Sequence, residues 1–211
     1  MQQRYYSKIY WHFTGSPNVN WHLVKNPEDI NKYGPPKADR ASYEILLRIL
    51  DTKKLLAKST EKIGEGIITD KFCSTTDIPF KDLVTHAPYY GKVAIGYKAH
   101  AIQKCFMPVL YLPLHHPPFV KSVLNEATVN SSELTRYLLN FLKITNFEPE
   151  EKESLYRERE WRHIGDFNFD MHDVAAIVVP ECYIPSIVEF LVSRQCVHNI
   201  SVIAWEFIEQ A

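Results

Sequence analysis

The chain lacks the marks of several large protein classes. Its four cysteines, Cys73, Cys105, Cys182 and Cys196, stand far apart, with no Cys-x-x-Cys pair. That spacing signals neither a zinc site nor a redox dithiol, and it predicts reduced thiols in a cytosolic protein. No apolar run reaches the roughly 18 residues of a membrane span. The opening Met1-Gln2-Gln3-Arg4-Tyr5-Tyr6 has no apolar segment of the secretory kind, so the expected location is the cytoplasm. An excess of one charge is missing as well. Lys and Arg number 24 against 25 Asp and Glu, a net charge of −1, which argues against a broad nucleic-acid surface. There is no Gly-x-Gly-x-x-Gly loop, no Gly-x-x-x-x-Gly-Lys-Ser/Thr loop and no His-Glu-x-x-His. The adjacent His115-His116 would point apart on a strand and have no carboxylate partner nearby, so no metal is expected. No repeat and no long linker divides the chain, and 1–211 reads as one domain.

What is present fits a globular domain. The 211 residues are 45% hydrophobic and 23% charged, and a chain of this length buries about 70% of its unfolded surface. An aromatic share of 13% suggests a thick core or an aromatic-lined cleft.

Residues 9–15 read as a first strand, ended by Gly15-Ser16-Pro17-Asn18. Ile9, Trp11 and Phe13 would face the core, leaving Tyr10, His12 and Thr14 on a more polar face. Residues 19–37 are loop-rich, and Trp21 and His22 could cover a pocket. Residues 39–58 carry the clearest helical stripe, Tyr43, Leu46, Leu47 and Leu50, with Asp39 as a cap. Residues 67–76 read as a strand ending in Ser74, Thr75 and Thr76. These hydroxyls suit either local capping or a sugar. His86 to Gly91 reads as a loop feeding a strand at Val93 to Tyr97, where Ala94 and Gly96 allow close approach. Pro108 suggests an edge strand. Residues 119–147 read as helical, with a break near Asn130 and a second start at Ser132. The tail runs strand, helix, strand: 174–180, 185–192 and 200–207. Strands and helices are partly segregated, without βα alternation, so the expected fold is α+β with a mixed, mainly antiparallel split sheet flanked by helices.

The most unusual stretch is Tyr156-Arg157-Glu158-Arg159-Glu160-Trp161-Arg162-His163-Ile164. As a helix it would be a solvated charged face. As a strand from about Glu158, the reading preferred here, it turns Glu158, Glu160 and Arg162 to one side. Two carboxylates there repel unless a cation sits between them, either Arg162 or a substrate.

Residues from several blocks resemble the AbiGi-type abortive-infection family of phage-defence proteins. They are His12-Phe13-Thr14, Phe72-Cys73 with Asp77-Ile78-Pro79, His86, Tyr90-Gly91 with Ile95-Gly96-Tyr97, Pro108-Val109-Leu110-Tyr111, and Glu158-Arg159-Glu160-Trp161-Arg162. A more distant likeness is to ADP-ribosyltransferases, which pair a His or Arg on the first strand with a middle hydroxyl or Tyr element and a late Glu-x-Glu. Here the order is His12, then Ser74-Thr75-Thr76, then Glu158 and Glu160. The mixture departs from that pattern. A leading His usually goes with a middle Tyr, so Tyr90 or Tyr97 could replace the hydroxyl element, and Thr76 stands where a serine is usual.

The likeness implies NAD as substrate and no metal. Glu160 would be the essential acid and Glu158 would orient the acceptor. His12 would donate to the ribose, helped by Thr14, while Ser74, Thr76 and an aromatic line the site. Arg162 would hold Glu160 or contact a phosphate. The implied function is a phage-defence toxin modifying a host or phage macromolecule. The alternative is a non-catalytic antitoxin or infection sensor that binds a cognate partner protein. A nuclease fits less well, since only one acid pair is evident.

Overall fold

The computed structural model describes residues 8–64, 66–113, 118, 120–122, 124–125, 132–147, 154–196 and 199–210. The His115-His116 pair and the acidic run 148–153 lie outside the described residues.

In chain order the strands are β1 (Ile9–Phe13), β2 (Lys54–Leu55), β3 (Lys62–Gly64), β4 (Ile67–Ile68), β5 (Phe72–Thr76), β6 (Ala94–Lys98) and β7 (Met107–Pro108). They continue with β8 (Leu110–Pro113), β9 (Leu142–Thr145), β10 (Glu160–Ile164), β11 (Phe167–Asn168), β12 (Val174–Val179) and β13 (Ser201–Ala204). The helices are α1 (Pro27–Tyr33), α2 (Asp39–Thr52), α3 (Leu83–Tyr90), α4 (Ala99–Gln103), α5 (Glu133–Leu139), α6 (Ile184–Ser193) and α7 (Trp205–Gln210).

Seven strands form the main sheet in the order β13-β12-β6-β1-β5-β10-β7. All its pairs are antiparallel except β12 with β13. This is the expected α+β arrangement. The sheet splits at its β7 edge. Pro108 pairs with Trp161, and two residues later Leu110 pairs with Leu142, so the chain leaves the main sheet for a parallel β8-β9 pair. Pro108 sits at an edge because proline has no N–H for a second neighbour.

Helices cover both faces. On one, Tyr43, Leu46 and Leu50 of α2 and Ile187 and Leu191 of α6 pack on Tyr10, Ile95, Tyr97 and Ile177. On the other, Leu83 of α3 and Trp205 and Ile208 of α7 pack on Trp11, Phe13, Ala94 and Val178. Tyr10 is therefore as buried as Trp11, and β1 has no exposed face along its centre. Gly96 permits the tight layer. A Cβ there would lie 2.7 Å from the Trp11 ring.

Several boundaries differ from the sequence reading. The helix expected over 39–58, α2, stops at Thr52, with Lys53 in the left-handed conformation, and Ala38 rather than Asp39 is its N-cap. Residues 67–76 break into β4 and β5. His86 to Tyr90 is helical despite Pro88, within α3. The 119–147 helix is interrupted: described residues between 118 and 125 are helical, α5 follows, and β9 is a strand. The last strand ends at Ala204, where α7 begins.

Candidate functional site

β1 and β5 pair at a single position, Trp11 with Thr76. Beyond it the strands diverge, and a cavity of about 1060 Å³ occupies the wedge. Its size is at the upper end of ligand pockets, roughly 300–1,000 Å³. Its walls come from the end of β1, from β5, from α2 and from residues 58–61. Tyr90, Lys143, Glu158 and Glu160 close the inner end.

The inner end is an ion network. Arg162 is fully buried. Its Nε and one Nη donate to the two oxygens of Glu160 at 2.9 and 3.0 Å. Its other donors go to Glu61 and to the carbonyls of Asn140 (3.0 Å) and Leu142 (3.3 Å). All five guanidinium N–H groups are thus engaged by protein, so Arg162 holds Glu160 and has no donor left for a phosphate. The cation between the twin acids is Lys143. Its ammonium donates to Glu158 at 2.7 Å and to Glu160 at 3.0 Å. Tyr90 donates its hydroxyl proton to the other Glu158 oxygen.

Burial alone would raise the Glu160 carboxyl, but Arg162 and Lys143 overcome it and hold it down at about 2. Burial likewise opposes the Lys143 charge, yet Glu158, Glu160 and Glu61 lift its pKa well above the ordinary lysine value. Burial and the adjacent Glu158 raise the Tyr90 hydroxyl. Ion pairs this deeply buried need each other, because a lone charge there would be strongly destabilising.

Glu158 reaches the network from outside the strand. Leu155–Glu158 is a 3-10 turn, and β10 begins only at Glu160. Arg159 between them has φ 46°, pinned by its ion pair with Asp77 at 2.7 Å. The Glu160 amide donates to the Tyr111 hydroxyl at 2.9 Å, which fixes the strand start.

His12 borders the same cavity from the other side of the wedge. The register runs Trp11, Thr76, Glu160 across three strands, so alternation turns His12 to the opposite sheet face. It still reaches the cavity because the wedge opens to both faces, from Ile45 and Ile49 of α2 to His86 and Tyr90 of α3. Its Nδ1–H donates to the Ser74 carbonyl across the gap at 2.9 Å. Burial lowers the imidazole pKa, and the ring is neutral at pH 7. Nε2 is then an acceptor, not the expected donor to a ribose.

The remaining expected residues divide. Ser74, Thr14 and Thr76 line the cavity. Thr14 donates to the Ser42 carbonyl at 2.8 Å and Thr76 to the Glu158 carbonyl, so both protons are committed to the fold. Of the two candidate tyrosines, Tyr90 lines the cavity, with Trp21 stacked on it at 6.5 Å. Trp21 and His22 border the cavity, as a lid would. Tyr97 does not. It is buried against Phe167 and Phe169 in the core on the α2 side. Lys143 and Glu61 escaped the sequence reading. Leu142-Lys143-Ile144-Thr145 alternates as a strand does, but four residues at the end of a helical pattern are a short signal.

Electrostatically the cavity is two-ended. Glu61, Glu158 and Glu160 against Arg162 and Lys143 leave one net negative charge at the inner end. Lys37, Arg48, Lys54 and Lys58 line the rest. The one group of metal-capable side chains among the described residues, Asp170, His172 and Asp173, lies outside the cavity.

The model of the AbiGi family, whose description reads abortive phage resistance protein AbiGi, antitoxin, matches residues 44–186. The chain belongs to the AbiGi family. That match runs from α2 through β12 and into α6, and it holds Lys143, Glu158, Glu160 and Arg162, while His12 lies before it. No curated protein matches the chain significantly. Among solved structures, this AbiGi chain is similar to Thermus sp. 2.9 DarT in complex with carba-NAD+, at 14% identity, 94% of this chain, 96% of that chain and a TM-score of 0.41. It is also similar to Thermus sp. 2.9 DarT in complex with ADP-ribosylated ssDNA, at 14% identity, 97% of this chain, 99% of that chain and a TM-score of 0.40. Likenesses this distant do not bear on chemistry, which rests on the AbiGi site itself. No described helix is long and apolar enough to cross a membrane.

Proposed function

We propose that this phage-defence protein binds NAD in the wedge cavity and transfers ADP-ribose to a macromolecule in the cytoplasm. The observation that carries this reading is the two-ended charge of one cavity, acidic inside and basic outside. NAD has the complementary form, a cationic nicotinamide at one end and an anionic pyrophosphate in the middle.

The reaction breaks the bond between ribose C1′ and the nicotinamide nitrogen. The leaving ring takes the electron pair, and positive charge develops on the sugar. A preorganised negative charge beside that carbon lowers the barrier. Glu160 supplies it. Its Oε1 accepts one hydrogen bond, from Arg162, and retains a lone pair for a ribose hydroxyl. His12 Nε2 accepts from a second hydroxyl. Trp21 and Tyr90 offer ring faces for the nicotinamide. Arg48 and Lys58 are the exposed cations for the pyrophosphate. Glu158 orients the acceptor nucleophile, which attacks C1′ as neutral nicotinamide leaves and releases its proton to solvent.

The test is incubation of the protein with labelled NAD and host lysate, wild type against Glu160→Gln. Loss of labelling in the variant, with retained NAD binding, supports the reading. Labelling that survives the substitution removes Glu160 from its role.

A second reading has its own support. The family description names an antitoxin, and both Glu160 oxygens already accept protein hydrogen bonds. On this reading the network is structural, and the protein acts by binding a cognate toxin. Absence of both NAD binding and labelling in the wild type would favour it.

A further inference from the structure

We propose that Lys143 is a positioning residue that keeps Glu158 and Glu160 ionised side by side, as a preset acid pair. That ionisation follows first from the one ammonium that both carboxylates share. Its consequence for transfer rests on the function proposed above.

The two carboxylates share one nitrogen. Glu158 Oε2 lies 2.7 Å and Glu160 Oε2 3.0 Å from the Lys143 ammonium. The two oxygens are therefore no more than about 6 Å apart, the most those two distances allow. Like charges that close in a buried site do not both ionise unless a cation compensates, and one of them otherwise keeps its proton. Arg162 does not meet this need. It bonds Glu160 and Glu61, and its remaining donors go to backbone carbonyls. Lys143 is the cation common to both acids.

The surroundings give the ammonium little alternative. Lys143 is 6% exposed, and Glu61 adds a third carboxylate to its field. Arg162 and Lys25 oppose its charge, while Tyr90 and Tyr111, both neutral phenols, complete the shell. The fold aims it. Lys143 pairs with Tyr111 across β8-β9, and alternation on β9 sends Lys143 inward with Thr145. Thr145 accepts the Leu155 amide at 2.9 Å, which joins β9 to the turn carrying Glu158. The strand that leaves the main sheet, β8, thus pairs with the one that delivers the cation, β9.

The test follows side-chain carboxyl carbons by NMR through a pH titration of the full chain, as wild type, Lys143→Met, Lys143→Gln and Lys143→Arg. The neutral variants are expected to gain a glutamate titration step between about pH 5 and 8, where the pair shares one proton. Lys143→Arg restores the wild-type curve. If folded neutral variants show no new step, the proposal is overturned. Should both neutral variants fail to fold, the wild-type Lys143 nitrogen decides: it stays protonated above pH 10.5, and loss of its proton below that value overturns the proposal. In a labelling assay, Lys143→Met should depress turnover on the acid side by at least tenfold, with KM little changed and activity recovering as pH rises. A wild type without labelling activity would count against the proposed function alone, since the carboxyl titration reads the acid pair directly.

Discussion

Arg162 shows how one side chain can be fixed from all directions. It stacks over the Phe72 ring at 4.2 Å and donates every N–H to protein. Removing it leaves Glu61 and Glu160 buried without their main counter-charge. Arg162→Met should therefore cost about 3–5 kcal/mol of stability, read as a lowered urea midpoint. The Glu160 carboxyl has a folded pKa of about 2 against 4.5 for the ordinary group. A depressed acid stabilises fully above its unfolded pKa, and the contribution is lost as pH falls from about 4.5 towards 2. Glu160→Gln should flatten that acid limb. His86 acts in a different window. Burial, with Arg157 nearby, lowers it from 6.5 to about 4, so the neutral ring is favoured in the fold. Stability should fall between pH 6.5 and 4 by up to about 3 kcal/mol, and His86→Phe should remove that slope in a pH series of urea melts.

At the level of elements, local pattern and tertiary contact compete. The alternation Leu142, Ile144 against Lys143, Thr145 is a strand signal only four residues long, beside a good helical run, and it forms β9 because β8 lies alongside to pair with it. Pro88 argues for a loop, yet α3 tolerates it. The chain reverses after it at Gly91, with φ 79°, a conformation that suits glycine. The turn after β1 depends on a second glycine. A Cβ on Gly15 would lie 2.5 Å from the Tyr90 carbonyl oxygen and 3.2 Å from the Gly91 Cα. Gly15→Ala should push α3 away from β1, costing about 1–3 kcal/mol. Because Tyr90 rides on α3 and bonds Glu158, the same variant should weaken the NAD binding proposed above. Titration of intrinsic fluorescence, with Trp21 as a cavity reporter, measures it.

For the whole molecule the decisive feature is the opening between β1 and β5, which gives the cavity walls of opposite charge. The proposed binding of NAD through Arg48 and Lys58 should weaken severalfold between low salt and about 0.5 M, because exposed charges are screened. The ion network at the inner end is buried and should respond little. Calorimetry at several ionic strengths, with Arg48→Ala alongside, separates the two. The sequence by itself determined the strand–helix–strand tail, the amphipathic face of α2, the edge position of Pro108 and the prominence of the Glu158–Arg162 stretch. Each follows from local periodicity or from a backbone donor that proline lacks. Tertiary structure alone decided that Tyr97 faces the core, that His12 Nδ1 meets the Ser74 carbonyl, and that Lys143 rather than Arg162 bridges the acids. Those outcomes depend on which strands pair and where pairing stops, a free-energy balance over residues far apart in the chain.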